Sequence, residues 1–97
     1  MEIEKVLEEG RLTVKLSGRL DTSTAPSLEL ALGGYEGVDS ILFDFGGLEY
    51  ISSAGLRVVL ASHKAMSKRG GLTITGVCDD IMEVFEITGF ADILTIE

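Results

Sequence analysis

Two adjacent serines, Ser52 and Ser53, lie at the predicted start of a helix, directly before Ala54-Gly55-Leu56. A serine at this position can cap the helix, because its hydroxyl oxygen accepts a hydrogen bond from a backbone N–H two or three residues further on. One cap is sufficient, so the second hydroxyl is free for another role. Since N–H groups and the helix dipole favour an anion there, a phosphate is tolerated. We therefore expect one serine to be a cap and the other to be a candidate site of regulatory phosphorylation.

Two aspartates, Asp21 and Asp44, lie at or just after the ends of predicted strands, where α/β proteins place functional loops. Asp21 opens a polar run whose side chains can also bond the free N–H groups of a helix start; the run consists of Asp21, Thr22, Ser23 and Thr24. The residues alone leave both interpretations open, a functional site and helix capping.

The other reactive side chains are isolated from one another. His63, the only histidine, follows Ser53 by ten residues on the same predicted helix, roughly 15 Å along the axis and too far to serve as its base. Cys78, the only cysteine, is expected to be a small buried side chain. Gly46-Gly47 follows a strand without a phosphate-loop motif, so we expect a turn. These residues predict no catalytic site, metal site or cofactor.

Strands and helices must alternate to position these residues. The alternation of apolar and polar residues at 12–16 predicts a strand that pairs antiparallel with a weaker strand at 2–8. The apolar run 40–45 predicts a central strand covered on both faces. A first helix is expected between Thr24 and Gly33. A second helix is expected from Ser52-Ser53 to Gly70, and its inner stripe consists of Leu56, Val59, Leu60, His63 and Met66. A strand at 72–77, a helix at 79–87 and a short strand at 93–96 should follow.

Strand–helix–strand units cross over right-handed and give parallel neighbours. The order therefore predicts an α/β sandwich: a mixed sheet of four or five strands with parallel central pairs, and about three helices.

Composition restricts the class of protein. The 97 residues, 45% of them apolar, fit one domain spanning residues 1–97. A net charge of -8 argues against general nucleic-acid binding, which depends on neutralised phosphates. No apolar stretch approaches the ~20 residues that span a bilayer, and the acidic start Met1–Glu4 differs from a signal peptide. We expect a cytoplasmic protein with no nucleic-acid or membrane partner.

Charge is unevenly distributed along the chain. Residues 51–70 contain Arg57, Lys64, Lys68 and Arg69 and no acid, whereas the segments on both sides are acidic. Such a segment either orients a partner or forms a solvated helix face, and both interpretations stay open.

The motif Tyr50-Ile-Ser-Ser-Ala-Gly-Leu-Arg-Val58, with Gly18-Arg-Leu-Asp-Thr22 upstream and Asp44 in a central strand, resembles the STAS family of bacterial anti-sigma factor antagonists. The resemblance covers essentially the whole chain and implies a STAS-like sandwich. In that family the phosphorylated serine lies two positions before the glycine of the Gly-Leu pair. Ser53 matches that position. The best-known members have aspartate immediately before the phosphorylated serine, whereas this chain has Ser52, so Ser52 is the alternative.

The resemblance implies a protein without catalysis of its own that works by partner switching. An unphosphorylated antagonist binds an anti-sigma factor that is also a serine kinase, phosphorylation ends the complex, and a PP2C-type phosphatase resets it. We expect the partner-binding surface to comprise Asp21, Thr22, Ser23, Thr24, Ser52, Ser53, Gly55 and Arg57. The alternative is an unphosphorylated scaffold, or a sensor that reads a ligand near Asp21, Asp44 and Ser53 within a larger signalling complex.

Overall fold

A computed structural model describes residues 1–97 and shows five strands in one sheet with three α-helices. The strands lie in the sheet in the order of the sequence; β1 is antiparallel to β2, and all other neighbours are parallel. The predicted α/β architecture is confirmed. In chain order the elements are β1 (Glu2–Glu8), β2 (Arg11–Leu20), α1 (Ala25–Leu32), β3 (Ser40–Ile51), α2 (Ser53–Met66), β4 (Leu72–Thr75), α3 (Asp79–Thr88), a short 3-10 helix (Phe90–Asp92) and β5 (Thr95–Ile96).

The helices cover one face of the sheet. In β3, Ile41, Phe43 and Phe45 are buried, whereas Leu42 and Asp44 on the opposite face are only half-buried. The prediction of a strand covered on both faces is therefore wrong. Because the strands are added in one direction and each crossover is right-handed, every helix falls on the same side of the sheet.

Strand β3 is longer than predicted and contains Gly46-Gly47, so the predicted turn at the two glycines is wrong. Its pairing with β2 is irregular between Lys15 and Ser17. A Cβ added at Gly47 lies 2.7 Å from the Cβ of Ser17, which shows how closely the strands approach. Glycine here permits an irregular, close pairing instead of a chain reversal.

Helix α2 packs one side against the sheet and another against the segment after α1. Its most buried side chains include Val59, Ser62 and Met66, whereas Leu60 and His63 are half-buried. The predicted inner stripe is thus displaced toward Ser62, whose hydroxyl lies 2.9 Å from the Tyr35 hydroxyl. Helix α2 has 14 residues, and none of the helices has the length and apolar character of a membrane span.

Cys78 is exposed rather than buried, and that prediction is also wrong. Strand β4 ends at Thr75, and Cys78 is the N-cap residue of α3. The side chain therefore belongs to a surface connection. Within the mostly aliphatic core three aromatic rings pack together, with Phe45 between Phe43 and Phe85 at centroid distances of 5.6 and 6.5 Å.

Candidate switch site

The candidate site lies where β2 and β3 end side by side. Leu20 pairs with Ile51, and the Ser52 N–H donates to the Leu20 carbonyl at 2.9 Å. The chain continues from Leu20 into the segment Asp21–Thr24 and from Ile51 into the start of α2. The structure thus brings together the two polar segments that the sequence singled out.

Asp21 is the centre of a tight, hydrogen-bonded turn. Its Oδ1 atom accepts hydrogen bonds from the Ser23 hydroxyl at 2.7 Å, the Ser23 N–H at 3.0 Å and the Thr24 N–H at 3.2 Å. The hydroxyl bond from Ser23 is the main cause that lowers the pKa of Asp21 from its ordinary value of 3.8, and the N–H bonds act in the same direction. The carboxylate is therefore ionised near neutral pH, and the turn holds it in place.

Thr24 fastens this turn to β2. Its hydroxyl accepts a hydrogen bond from the Asp21 N–H at 2.8 Å and donates to the Arg19 carbonyl at 2.8 Å. Thr24 is also the N-cap residue of α1, but its side chain does not bond the N–H groups of that helix. Thr22, at the tip of the turn, is exposed.

The two serines occupy different environments. Ser52 is the N-cap residue of α2: its Oγ accepts a hydrogen bond from the Gly55 N–H at 3.4 Å, and its carbonyl accepts one from Leu56 at 2.9 Å. Ser53 is the first helical residue and is exposed, and its hydroxyl has no hydrogen-bond partner in the chain. The cap and the free hydroxyl are therefore assigned to separate residues.

Gly55 positions the helix rather than a partner. It is buried, and a Cβ added here lies 2.7 Å from Leu20 Cγ and 3.0 Å from Ile51 Cγ1. The glycine allows the first turn of α2 to lie directly on the ends of both strands. Its predicted direct contact with a partner does not fit this inward orientation.

Arg57 is exposed on the outer side of α2, one turn after Ser53. It lines a groove of about 280 Å³ between α1 and α2, together with Glu29 and Val58. Further along α2 Ala61 and Lys64 are also exposed, and Lys68 is exposed just after the helix ends. In contrast, Arg69 turns toward the chain and donates hydrogen bonds to the carbonyls of Tyr35 and Val38 at 3.0 and 2.8 Å. The basic segment thus presents an exposed charged surface, whereas Arg69 ties the segment to the rest of the chain, a role that the sequence did not predict.

Asp44 does not belong to this site. It lies within β3 on the uncovered face, opposite Lys15, and its Oδ1 accepts a hydrogen bond from the Gly46 N–H at 2.9 Å. The depression that it lines is formed with Lys15 and Ser17. Since β3 continues seven residues beyond Asp44, the predicted pocket joining Asp21, Asp44 and Ser53 is not formed.

The sequence did not predict one pair of side chains at the site. The guanidinium carbon of Arg19 lies 4.0 Å from the centroid of the Tyr50 ring, and Arg19 Nε lies 3.9 Å from Asp21 Oδ2. Arg19 and Tyr50 each lie in one of the two motifs that carry the family resemblance, and this was the only sequence feature that pointed to them. Their pairing depends on a register shift between Gly18 and Arg19 that no sequence pattern indicated.

Comparison with known proteins agrees with this geometry. The sequence profile of the family described as "Mlab, STAS domain" matches residues 3–95. The anti-sigma-B factor antagonist of Staphylococcus aureus is 33% identical over 97 residues, which cover 97% of this chain and 90% of that protein.

Two solved structures share the fold. An anti-sigma factor antagonist from Mycobacterium paratuberculosis superposes with a TM-score of 0.86 at 23% identity, covering 98% of this chain and 83% of the other. The Bacillus cell fate determinant SpoIIAA in its phosphorylated form gives a TM-score of 0.77 at 16% identity, covering 99% of this chain and 91% of the other. On its profile match, its relatives and its fold, the chain belongs to the STAS-domain family of anti-sigma factor antagonists.

Proposed function

We propose that this chain is an anti-sigma factor antagonist that acts by partner switching. In its unphosphorylated form it binds an anti-sigma factor with serine-kinase activity, which frees a sigma factor. The bound kinase then phosphorylates Ser53, the complex dissociates, and a PP2C-type phosphatase restores the binding form. The names of its relatives support the antagonist role, and SpoIIAA, which shares the fold, exists in a phosphorylated form.

The main support for the proposal is that the two serines have different environments. Ser52 caps α2, so its hydroxyl is engaged, whereas Ser53 is exposed and unbonded at the positive end of the helix dipole. A kinase can reach the Ser53 hydroxyl without breaking a bond that stabilises the fold. This favours Ser53 over Ser52 as the phosphoacceptor.

Phosphorylation acts on binding through charge. A phosphoserine adds roughly -1.5 to -2 charges at neutral pH. When a partner covers Ser53, that charge must lose its water shell, and the turn that carries the Asp21 carboxylate follows the neighbouring strand end. Within the free chain the charge stays solvated near helix N–H groups and one turn from Arg57. The modified protein therefore stays folded while its complex is destabilised.

The chain acts as a ligand and a substrate, not as an enzyme. Its partner surface comprises the turn Asp21–Thr24, the two serines and Arg57. We further propose that it acts in the cytoplasm, as one domain spanning residues 1–97.

The experiment is phosphorylation of the purified chain with ATP and each serine-kinase anti-sigma factor encoded in the source genome. Mass spectrometry should find one phosphate, on Ser53. Ser53→Ala should abolish modification, whereas the matched variant Ser52→Ala should still be modified. Phosphate on Ser52, or no phosphate with any of these kinases, contradicts the proposal. The absence of phosphate would support the alternative of an unphosphorylated scaffold or sensor. One feature favours that alternative: Ser52 stands where well-known members have an aspartate.

A further inference from the structure

The uncovered face of the sheet carries an arginine stacked on a tyrosine beside the proposed switch site. Arg19 and Tyr50 are cross-strand neighbours in β2 and β3, and the guanidinium carbon lies 4.0 Å from the ring centroid. The Arg19 side chain is 60% exposed and Tyr50 is 40% exposed. The cation–π attraction favours this arrangement of the two side chains while much of their surface stays open to solvent.

This pair is continuous with the switch site. The Arg19 carbonyl accepts a hydrogen bond from the Thr24 hydroxyl, and Arg19 Nε lies 3.9 Å from Asp21 Oδ2. The next residues along the two strands, Leu20 and Ile51, lead directly into Asp21 and Ser52. A partner that covers the turn and the start of α2 therefore also meets the stacked pair.

The Arg19 guanidinium has unused binding capacity. It donates no hydrogen bond within the chain, and its nearest carboxylate oxygen is too distant for one. Its planar fork of N–H groups matches the geometry of a carboxylate, and its contact with the tyrosine ring keeps the guanidinium beside Tyr50. Tyrosine and arginine are also enriched among residues that dominate binding energy at interfaces, because they offer large contact area.

We propose that Arg19 and Tyr50 anchor the anti-sigma factor. Arg19 pairs with a carboxylate of the partner, and the exposed part of the Tyr50 ring packs against an apolar side chain next to it. This inference rests on the proposed function and enlarges its interface: the partner spans the carboxyl end of the sheet, from Arg57 on α2 to Arg19 on the uncovered face. Because an arginine lies at each end of this interface, we expect the partner surface to be acidic and so complementary in charge.

The test measures binding of the unphosphorylated chain to the immobilised serine-kinase anti-sigma factor that modifies it. Tyr50→Ala is expected to weaken binding about 30-fold, the effect of an interface hot spot, and Arg19→Ala about tenfold. Tyr50→Phe, which keeps the ring and the stack, should retain binding. Arg19→Lys should not restore it fully, because lysine lacks the planar fork. The matched control is Arg11→Ala, an exposed arginine at the other end of β2, which should bind like the wild type.

Two further measurements separate contact from fold stability. Binding by the wild type should weaken with rising salt, and Arg19→Ala should reduce that salt dependence because one ionic contact is lost. A photo-reactive benzoylphenylalanine that replaces Tyr50 should cross-link to the partner. The same group replacing Val6, in the edge strand β1, should not.

Each outcome decides the proposal. If the wild type binds and both Tyr50→Ala and Arg19→Ala bind like Arg11→Ala, the anchor is disproved and the proposed function stands. If Arg19→Ala changes partner binding only for the Ser53-phosphorylated form, Arg19 contacts the chain's own phosphate. In that case the anchor is again disproved. If the wild type binds no anti-sigma factor, the proposed function fails and the anchor fails with it.

Discussion

At the scale of single residues, two neighbouring serines have different tasks. Ser52→Ala removes the N-cap of α2 and should lower the free energy of unfolding by about 1 kcal/mol. Ser53→Ala removes an exposed, unbonded hydroxyl and should change it by less than about 0.5 kcal/mol. Urea denaturation of the two variants checks this difference, and equal losses of stability would assign a structural role to both serines.

Asp21 provides a residue-scale prediction on pH. Its pKa is lower in the folded chain than the ordinary value of 3.8, chiefly through the Ser23 hydroxyl. Its carboxylate therefore stabilises the fold above about pH 4, and this contribution is lost as the pH falls through the lowered folded pKa. The stability difference between the wild type and Asp21→Asn should shrink between pH 5 and pH 3, as estimated from those pKa values. A difference that does not vary with pH would contradict this role.

At the scale of elements, Gly55 sets the distance between α2 and the strand ends. Gly55→Ala places a methyl group 2.7 Å from Leu20 Cγ, and we expect overpacking to destabilise the fold by about 1 to 3 kcal/mol. Partner binding should also weaken, because α2 moves relative to the Asp21 turn. Gly34→Ala is the matched control, since its new Cβ has no neighbour nearer than 4.0 Å. Thermal unfolding and binding measurements should separate the two variants, and equal behaviour would contradict the packing argument.

Local sequence signals predicted most elements because their physical basis is local. Alternation in β2, the Ser52 cap and Gly89 after α3 each mark an element or its end within a few residues. The missed features depend on distant residues. Gly46-Gly47 continues a strand because Ser17 approaches it from β2, and Asp44 leaves the site for the same reason. Which serine caps α2 was also open, because either hydroxyl can reach an N–H of the first turn.

At the scale of the whole molecule, charge separates the surfaces. Arg57 and Lys64 are exposed on α2 and Lys68 just after its end, whereas α3 exposes Asp79, Asp80, Glu83 and Glu86. A partner with an acidic surface is therefore attracted to the α2 side and repelled from the α3 side. The uncovered sheet face extends the same interface toward Arg19.

Charge reversal tests this polarity. Arg57→Glu should weaken binding to the anti-sigma factor by tenfold or more, and should change the melting temperature little, because an exposed charge contributes little to stability. Arg11→Glu, which reverses an exposed charge far from the switch site, is the control. Unchanged binding together with a large loss of stability would make Arg57 a structural residue.

We claim that a phosphate on Ser53 ends binding without unfolding the chain. The most direct measurement compares the affinity of the anti-sigma factor for the unphosphorylated chain with that for the chain fully phosphorylated by its kinase, alongside thermal unfolding of both forms. We expect the affinity to fall by about 100-fold or more, which corresponds to roughly 2.7 kcal/mol, while both forms unfold at nearly the same temperature. Equal affinities, or a loss of binding that accompanies unfolding of the phosphorylated chain, would contradict the claim.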